Sequence, residues 1–298
     1  MKIGSNDIVD VKTGSTQVNK VYLGSNLVWQ SFVGFLDTYS GAAAAFAFIR
    51  LRSGYLGDCI KVRKTVSGTT TELDIGFVDN ELDTSAISTF CGSADGFISV
   101  KYDQSTNGNN QTQTTATKQP KIYDGASASM NLLDSLTAAS YPIGTVTQLD
   151  NSINVVSGFV LSNSLTNQLI NSIFGGINSF DGTSTAMISR GSYGSINGLS
   201  IQSSGGFKNL GNTENADRSL NIVVNNASNT KLGINGDSLT SLSRQGDLNA
   251  LFIGNRVASV ESYLALNGNI QFEAYYETDQ ESNLAGIQSF LNNAYSIY

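Results

Sequence analysis

There is no histidine among the 298 residues of this chain. Its absence removes the commonest general base, the usual zinc ligand and any Ser-His triad, leaving chemistry to carboxylates, tyrosines and lysines. Charge is also scarce: 14% of residues are Asp, Glu, Lys or Arg, and the formal net charge is −7. A chain without a cationic surplus has little to offer a phosphate backbone, so nucleic acid is not an expected partner. Cys59 and Cys91 are too few for a disulfide framework and fit no metal-knuckle spacing, and they read as small buried hydrophobes. No apolar run follows Met1-Lys2-Ile3-Gly4-Ser5-Asn6-Asp7, so neither a signal peptide nor a membrane span is expected, and export would go by lysis or a dedicated machine.

What the chain does have is 40% hydrophobic residues and 30 glycines, with Asn, Ser and Thr filling the polar share. That is the composition of a turn-rich β protein with a neutral, hydrogen-bonding surface. Strand-like runs recur at Ile60–Arg63, Leu73–Val78, Phe97–Tyr102, Asn154–Leu161, Ala186–Ser189, Leu199–Gln202, Ser219–Val224 and Ala250–Gly254. The clearest is Asn269–Glu277, where Ile270, Phe272, Ala274 and Tyr276 alternate with Gln271, Glu273, Tyr275 and Glu277, predicting one buried and one wet face. Many strands at short intervals, with Asn235-Gly236 and Asn267-Gly268 at turns, predict an all-β, antiparallel sandwich. Two helices are expected at its periphery. One is the alanine-rich Gly41–Arg52 stretch, and the other follows Thr278–Ser282, with Leu284, Ile287, Leu291 and Tyr295 at helical spacing.

The first residues form a separate unit. Val11-Lys12-Thr13-Gly14-Ser15-Thr16-Gln17-Val18 is echoed ten residues later by Val21-Tyr22-Leu23-Gly24-Ser25-Asn26-Leu27-Val28, each copy placing Gly-Ser between strand formers. Such hairpins are marginal alone, so the unit needs something to dock on. Val18, Val21, Tyr22, Leu27, Val28 and Trp29 are its candidate docking residues; alternatively the hairpins pad one edge of the sandwich. The division expected is a hairpin module over 1–33 and a sandwich over 34–298. The run Tyr22-Leu23-Gly24-Ser25-Asn26-Leu27-Val28-Trp29 resembles the Tyr-x-Gly-x-x-Leu-Val-Trp modules that open many bacteriophage tail and virion proteins. That resemblance implies a virion location, other virion proteins as partners and a homo-oligomer.

A second resemblance covers Tyr39 to Ile122. Arg50-Leu51-Arg52-Ser53-Gly54-Tyr55, Val62-Arg63, Asp74-Ile75-Gly76-Phe77, Phe90-Cys91-Gly92 and above all Tyr102-Asp103-Gln104-Ser105-Thr106-Asn107-Gly108-Asn109, then Gln119-Pro120, follow the order found at the start of the catalytic domain of arabinofuranosidase B. Related concanavalin-like, laminin-G-like domains occur in phage and bacterial surface proteins. The resemblance implies a concanavalin-like jelly roll and a link to glycans. It supplies no catalytic residue, because the nucleophilic glutamate and acid aspartate of that family lie in its later part, where this chain has no matching motif.

Carboxylate chemistry can be tested by spacing. A glycosidase needs two carboxyl groups about 5 to 9.5 Å apart. Glu273 and Glu277 share a strand face, but four residues at about 3.3 Å each hold them roughly 13 Å apart. A partner such as Asp217 or Asp237 is not selected by any motif. The polar run from Gln104 to Lys118 reads as an exposed loop. Its amides, with Tyr102 and Tyr123 flanking, make Tyr102, Asp103, Gln104, Asn107, Asn109 and Tyr123 the candidate host-glycan site; the alternative is a merely solvated loop with two edge-of-core tyrosines. Asp103, Ser105 and Asn107 also match the first half of a calcium loop, though Thr114 stands where its bidentate glutamate belongs, and an Asx turn accounts for the same residues. No cofactor is therefore expected, with calcium the one option kept. Three functions follow as expectations: a phage attachment protein, a glycan-degrading tail enzyme, or an architectural virion subunit.

Overall fold

The computed structural model describes all residues except 1, 4–5, 8–10, 19, 134, 143–144, 165–170, 176–186, 194–195, 204–205, 211–217, 244–246 and 254–265. The chain opens with three short antiparallel hairpins: Lys2–Ile3 with Asn6–Asp7, Lys12–Thr13 with Thr16–Gln17, and Lys20–Leu23 with Asn26–Gln30. Each copy of the internal repeat is thus one hairpin. Gly14 and Gly24 occupy equivalent turn positions at φ +63°, a left-handed conformation that glycine adopts without steric cost.

Among the described residues, nineteen further strands pair into one branched antiparallel network, which closes over itself as two layers. In one layer, Gly268–Tyr276 runs between Ser157–Ser164 on one side and Ala44–Ala47 with Ala139–Tyr141 on the other. Ser219–Asn225, Asn229–Ile234 and Thr240–Ser243 extend it. The facing layer carries Thr69–Ile75, Ile60–Val66, Gly96–Lys101, Gln111–Thr112, Thr147–Asn154 and Asn249–Ile253 in lateral order. Between the layers lies the larger core, with Ala44, Phe46, Val160, Val223 and Tyr275 meeting Ile60, Val62, Ile98, Leu149 and Ile253. The back of the first layer is buried too. Ala45, Ala47, Phe159, Leu161, Phe272, Ala274 and Tyr276 pack there beneath helix α1 (Phe35–Thr38) and helix α3 (Leu284–Tyr295).

This second core explains two departures from the sequence reading. Gly268–Tyr276 is buried along its whole length, so the face carrying Gln271, Glu273 and Tyr275 is interior rather than wet. The alanine-rich stretch is not a helix but the strand Ala44–Ala47, with Ala44 and Phe46 in one core and Ala45 and Ala47 in the other. A strand pressed between two packed faces needs small side chains, and that demand overrides alanine's helix propensity. The helical spacing of Leu284, Ile287, Leu291 and Tyr295 does form α3, with the last three fully buried. Helix α2 (Thr84–Cys91) was not expected; it starts where the Asp83 side chain accepts the Ala86 N–H at 2.8 Å, a local cap. The expected strand at Ala186–Ser189 is seen from Met187 onward, its first residue lying outside the described residues.

Candidate functional site

The loop from Tyr102 to Asn110 follows the Gly96–Lys101 strand and folds along the free edge of Ala44–Ala47. An unpaired edge of buried backbone needs partners, and here side chains supply them. One Asp103 carboxylate oxygen accepts the Ala45 N–H at 2.9 Å and the Ser105 N–H at 2.8 Å. The other accepts the Ser105 hydroxyl at 2.7 Å and the Asn109 N–H at 3.1 Å. Gln104 is fully buried: its N–H donates to the Ala45 carbonyl, its side-chain oxygen accepts the Leu51 N–H at 2.7 Å, and its amide donates to the carbonyls of Ala47 and Ile49 at 3.0 and 3.1 Å. The Asn107 amide donates to the Ala42 and Ala43 carbonyls, and the Asn109 amide to Ala43. Four of the predicted site residues are therefore brought together, but their inward groups act as a substitute strand.

The two tyrosines do not complete that group. Tyr123 is buried within the sandwich core on the Lys121–Asp124 strand, with its hydroxyl on the Gly92 carbonyl at 3.3 Å, so its ring offers no face to a solvent-borne sugar. Tyr102 is half-buried and donates to an Asp74 carboxylate oxygen at 2.5 Å. Burial first, and then that bond, push its pKa up. What the loop leaves to solvent is Thr106, Asn107 and Gly108, continued by Thr114, Thr115 and Thr117. The expected exposed run from Gln104 to Lys118 is also shorter than predicted, because Gln104 is buried and Gln111–Thr112 pairs as a strand.

The same bonds decide how the calcium-loop residues are used. Both Asp103 oxygens face N–H and O–H donors, and Ser105 turns its proton toward the carboxylate, the arrangement of an Asx turn. A cation would have to displace those donors. Among the described residues no group of three or more His, Cys, Asp or Glu side chains is placed to hold a metal ion. Cys59 and Cys91 are both free and buried, and burial pushes the Cys59 thiol far up.

Glu273, one of the two carboxylates tested by strand spacing, lies between the layers with 0% exposure. It is ion-paired to Lys101 and bonded to the Gln111 amide, and the Tyr275 hydroxyl donates to it at 3.1 Å. Gln111 in turn accepts from the Thr147 hydroxyl at 3.0 Å, and the Lys101 ammonium sits 5.5 Å from the centre of the Phe46 ring. Sequence reasoning missed this cluster, since Lys101 is 172 residues from Glu273. A carboxylate enclosed in this way has no access to a glycosidic bond. Glu277 is exposed at the strand end, Asp237 is exposed in a turn, and Asp217 lies outside the described residues.

The third hairpin has a different character. Tyr22, Leu23, Leu27 and Val28 are all exposed, Leu23 at 74%, while Trp29 is buried at 7% exposure and Val18 and Val21 are half-buried. Among the described residues no helix is long and apolar enough to cross a membrane.

The layered architecture, with all pairings antiparallel and a second core under helices, defines an all-β, concanavalin-like jelly-roll sandwich. Solved structures agree. A mutant GH54 α-L-arabinofuranosidase soaked with 4-nitrophenyl α-L-arabinofuranoside superposes with a TM-score of 0.63 at 14% identity over 86% of this chain. An arabinofuranosidase complexed with arabinofuranosyl-α-1,2-xylobiose gives 0.58 at 16% identity over the same share. This chain spans 63% of the length of each. No family model and no curated protein sequence matches the chain. At these identities the likeness establishes the fold, and function has to be argued from the site.

Proposed function

We propose that the protein is a bacteriophage virion surface protein, a tail fibre or capsid decoration, that attaches to a host-surface glycan without cleaving it. The observation that carries the non-hydrolytic part is the enclosure of Glu273 by Lys101, Gln111 and Tyr275. The glycan part is supported by a fold like that of arabinofuranosidases and by the uncharged hydroxyl and amide edge of Thr106, Asn107 and Thr114 to Thr117, with Asn109 beneath it. The virion part is supported by the Tyr22–Trp29 motif and by the exposed apolar side chains Tyr22, Leu23, Leu27 and Val28 of that hairpin, with Tyr22 and Leu27 paired across the strands, which suit docking onto other virion proteins or sister copies.

The test is co-sedimentation of the purified protein with a panel of bacterial surface polysaccharides, combined with a reducing-end assay. Retention on at least one polysaccharide with no new reducing ends is the expected result. Release of reducing ends would replace binding by hydrolysis, and no retention on any polysaccharide would leave the sandwich architectural. For the docking half, cross-linking of assembled particles is expected to join residues 1–33 to other virion proteins; a solvent-exposed segment there would overturn it.

A further inference from the structure

Three side chains able to react with one another meet in the interior between the layers. Lys101 and Gln111 are direct cross-strand partners, at the end of Gly96–Lys101 and the start of Gln111–Thr112, a register that sets opposed side chains on one face with Cβ atoms about 4.5–5.5 Å apart. Both side chains are buried, and both reach one carboxylate of the facing layer: the Lys101 ammonium pairs with one Glu273 oxygen, and the Gln111 amide N–H donates to the other. The carbonyl oxygen of the same amide accepts the Thr147 hydroxyl at 3.0 Å. Phe46 and Phe48 lie against the ammonium, with ring centres at 5.5 and 5.9 Å, and Tyr275 donates to Glu273 at 3.1 Å. An amine, a carboxamide and a carboxylate that bridges them thus share one enclosed, largely apolar site.

We propose that this cluster is a site of covalent modification, at which the Lys101 amine and the Gln111 carboxamide join as an intramolecular isopeptide bond with release of ammonia. Glu273 takes a proton from the ammonium, and the Nζ lone pair then attacks Gln111 Cδ. The carbonyl electrons move onto Oε1, where the Thr147 hydroxyl already donates. Glu273 passes its proton to Nε2, the Cδ–Nε2 bond breaks with its electron pair, and ammonia departs as the carbonyl re-forms. The surplus proton on Nζ returns to Glu273. The products are a secondary amide, ammonia and a neutral carboxyl, so the step balances without an oxidant or co-reactant. Two effects drive it. Groups held in place by the fold react without paying the entropy of encounter, and an ion pair kept out of water is replaced by neutral groups, which removes its desolvation penalty. The freshly folded chain carries the ion pair, and the bond accumulates afterwards. The inference stands apart from the glycan-attachment reading.

The test is intact-mass spectrometry of the full chain during prolonged incubation, followed by proteolytic mapping under denaturing conditions. A growing species lighter by the mass of one ammonia is expected, with a peptide in which Lys101 is joined to Gln111. Chain kept unfolded in urea should not form it, because the three groups meet only in the fold. Lys101→Arg and Glu273→Leu should each leave the mass unchanged. Thr147→Val, which keeps the shape of the side chain and removes only the donor to Oε1, guards against misfolding of the other two and should slow the loss at least tenfold. An unchanged mass of the folded wild-type chain would overturn the proposal whatever the variants do. Loss of ammonia mapped to an Asn-Gly step, as a succinimide, would overturn it too. A species lighter by one water, with Lys101 joined to Glu273, would overturn Gln111 as the acyl donor, and an undiminished rate in Thr147→Val would overturn the role given to that hydroxyl.

Discussion

At the residue scale the buried Lys101–Glu273 pair is the most consequential feature of the molecule. Two ions removed from water repay their desolvation only with good geometry and satisfied remaining lone pairs, which Gln111, Tyr275 and the Phe46 ring provide. Breaking the pair on one side leaves the other charge stranded. Lys101→Met or Glu273→Leu is therefore expected to destabilise by about 3–5 kcal/mol in urea unfolding, whereas the double variant should regain most of that loss. A loss in the double variant equal to the sum of the two single losses would show that the two residues act independently. The residues of the 103–109 loop teach a related lesson. Amides and carboxylates that look solvent-directed in sequence turned inward because the Ala44–Ala47 edge has unpaired backbone groups that must be satisfied.

At the element scale, α3 is what makes the first layer two-sided. Ile287, Leu291 and Tyr295 cover Phe272 and its neighbours, with the Phe272 and Tyr295 rings 6.2 Å apart. Leu291→Ala is expected to cost about 2–5 kcal/mol through lost burial and a residual cavity, while Ala285→Ser on the exposed face should change stability by less than about 0.5 kcal/mol. Denaturant midpoints of the two variants provide the check, and similar midpoints would mean α3 is only loosely docked. The helix was legible in sequence because its apolar spacing is local. The Ala44–Ala47 strand was not, because its conformation is set by Gly268–Tyr276, more than two hundred residues downstream.

At the scale of the whole molecule, the absence of histidine and the burial of tyrosines shape the response to pH. Tyr141 and Tyr275 are held well above the ordinary tyrosine pKa, by burial first and by the nearby Glu273 charge second, and burial also raises Tyr276 and Tyr295. A group raised in the native state favours folding while it is protonated in both states. That stability is present below the unfolded value of about 10 and is lost as pH climbs above it toward the raised native value. Melting temperature is thus expected to be flat from about pH 6 to 8, where no histidine titrates, and to fall above about pH 10. Phenolate absorbance of these tyrosines should appear together with loss of the fold. Ionisation of these buried rings well before unfolding would contradict their enclosure.

The sequence by itself determined the all-β class, the hairpin at each copy of the Gly-Ser repeat, the burial of the two cysteines and the terminal helix, because each follows from composition, turn chemistry or short-range periodicity. Tertiary structure alone decided which face of each strand meets water. It turned an alanine run into a doubly buried strand, used Asp103 and Gln104 as its missing neighbour, and placed Glu273 beside Lys101 instead of beside a substrate. The physical reason is the same throughout: burial and hydrogen-bond satisfaction are settled between segments far apart in the chain, and no local pattern encodes the partner.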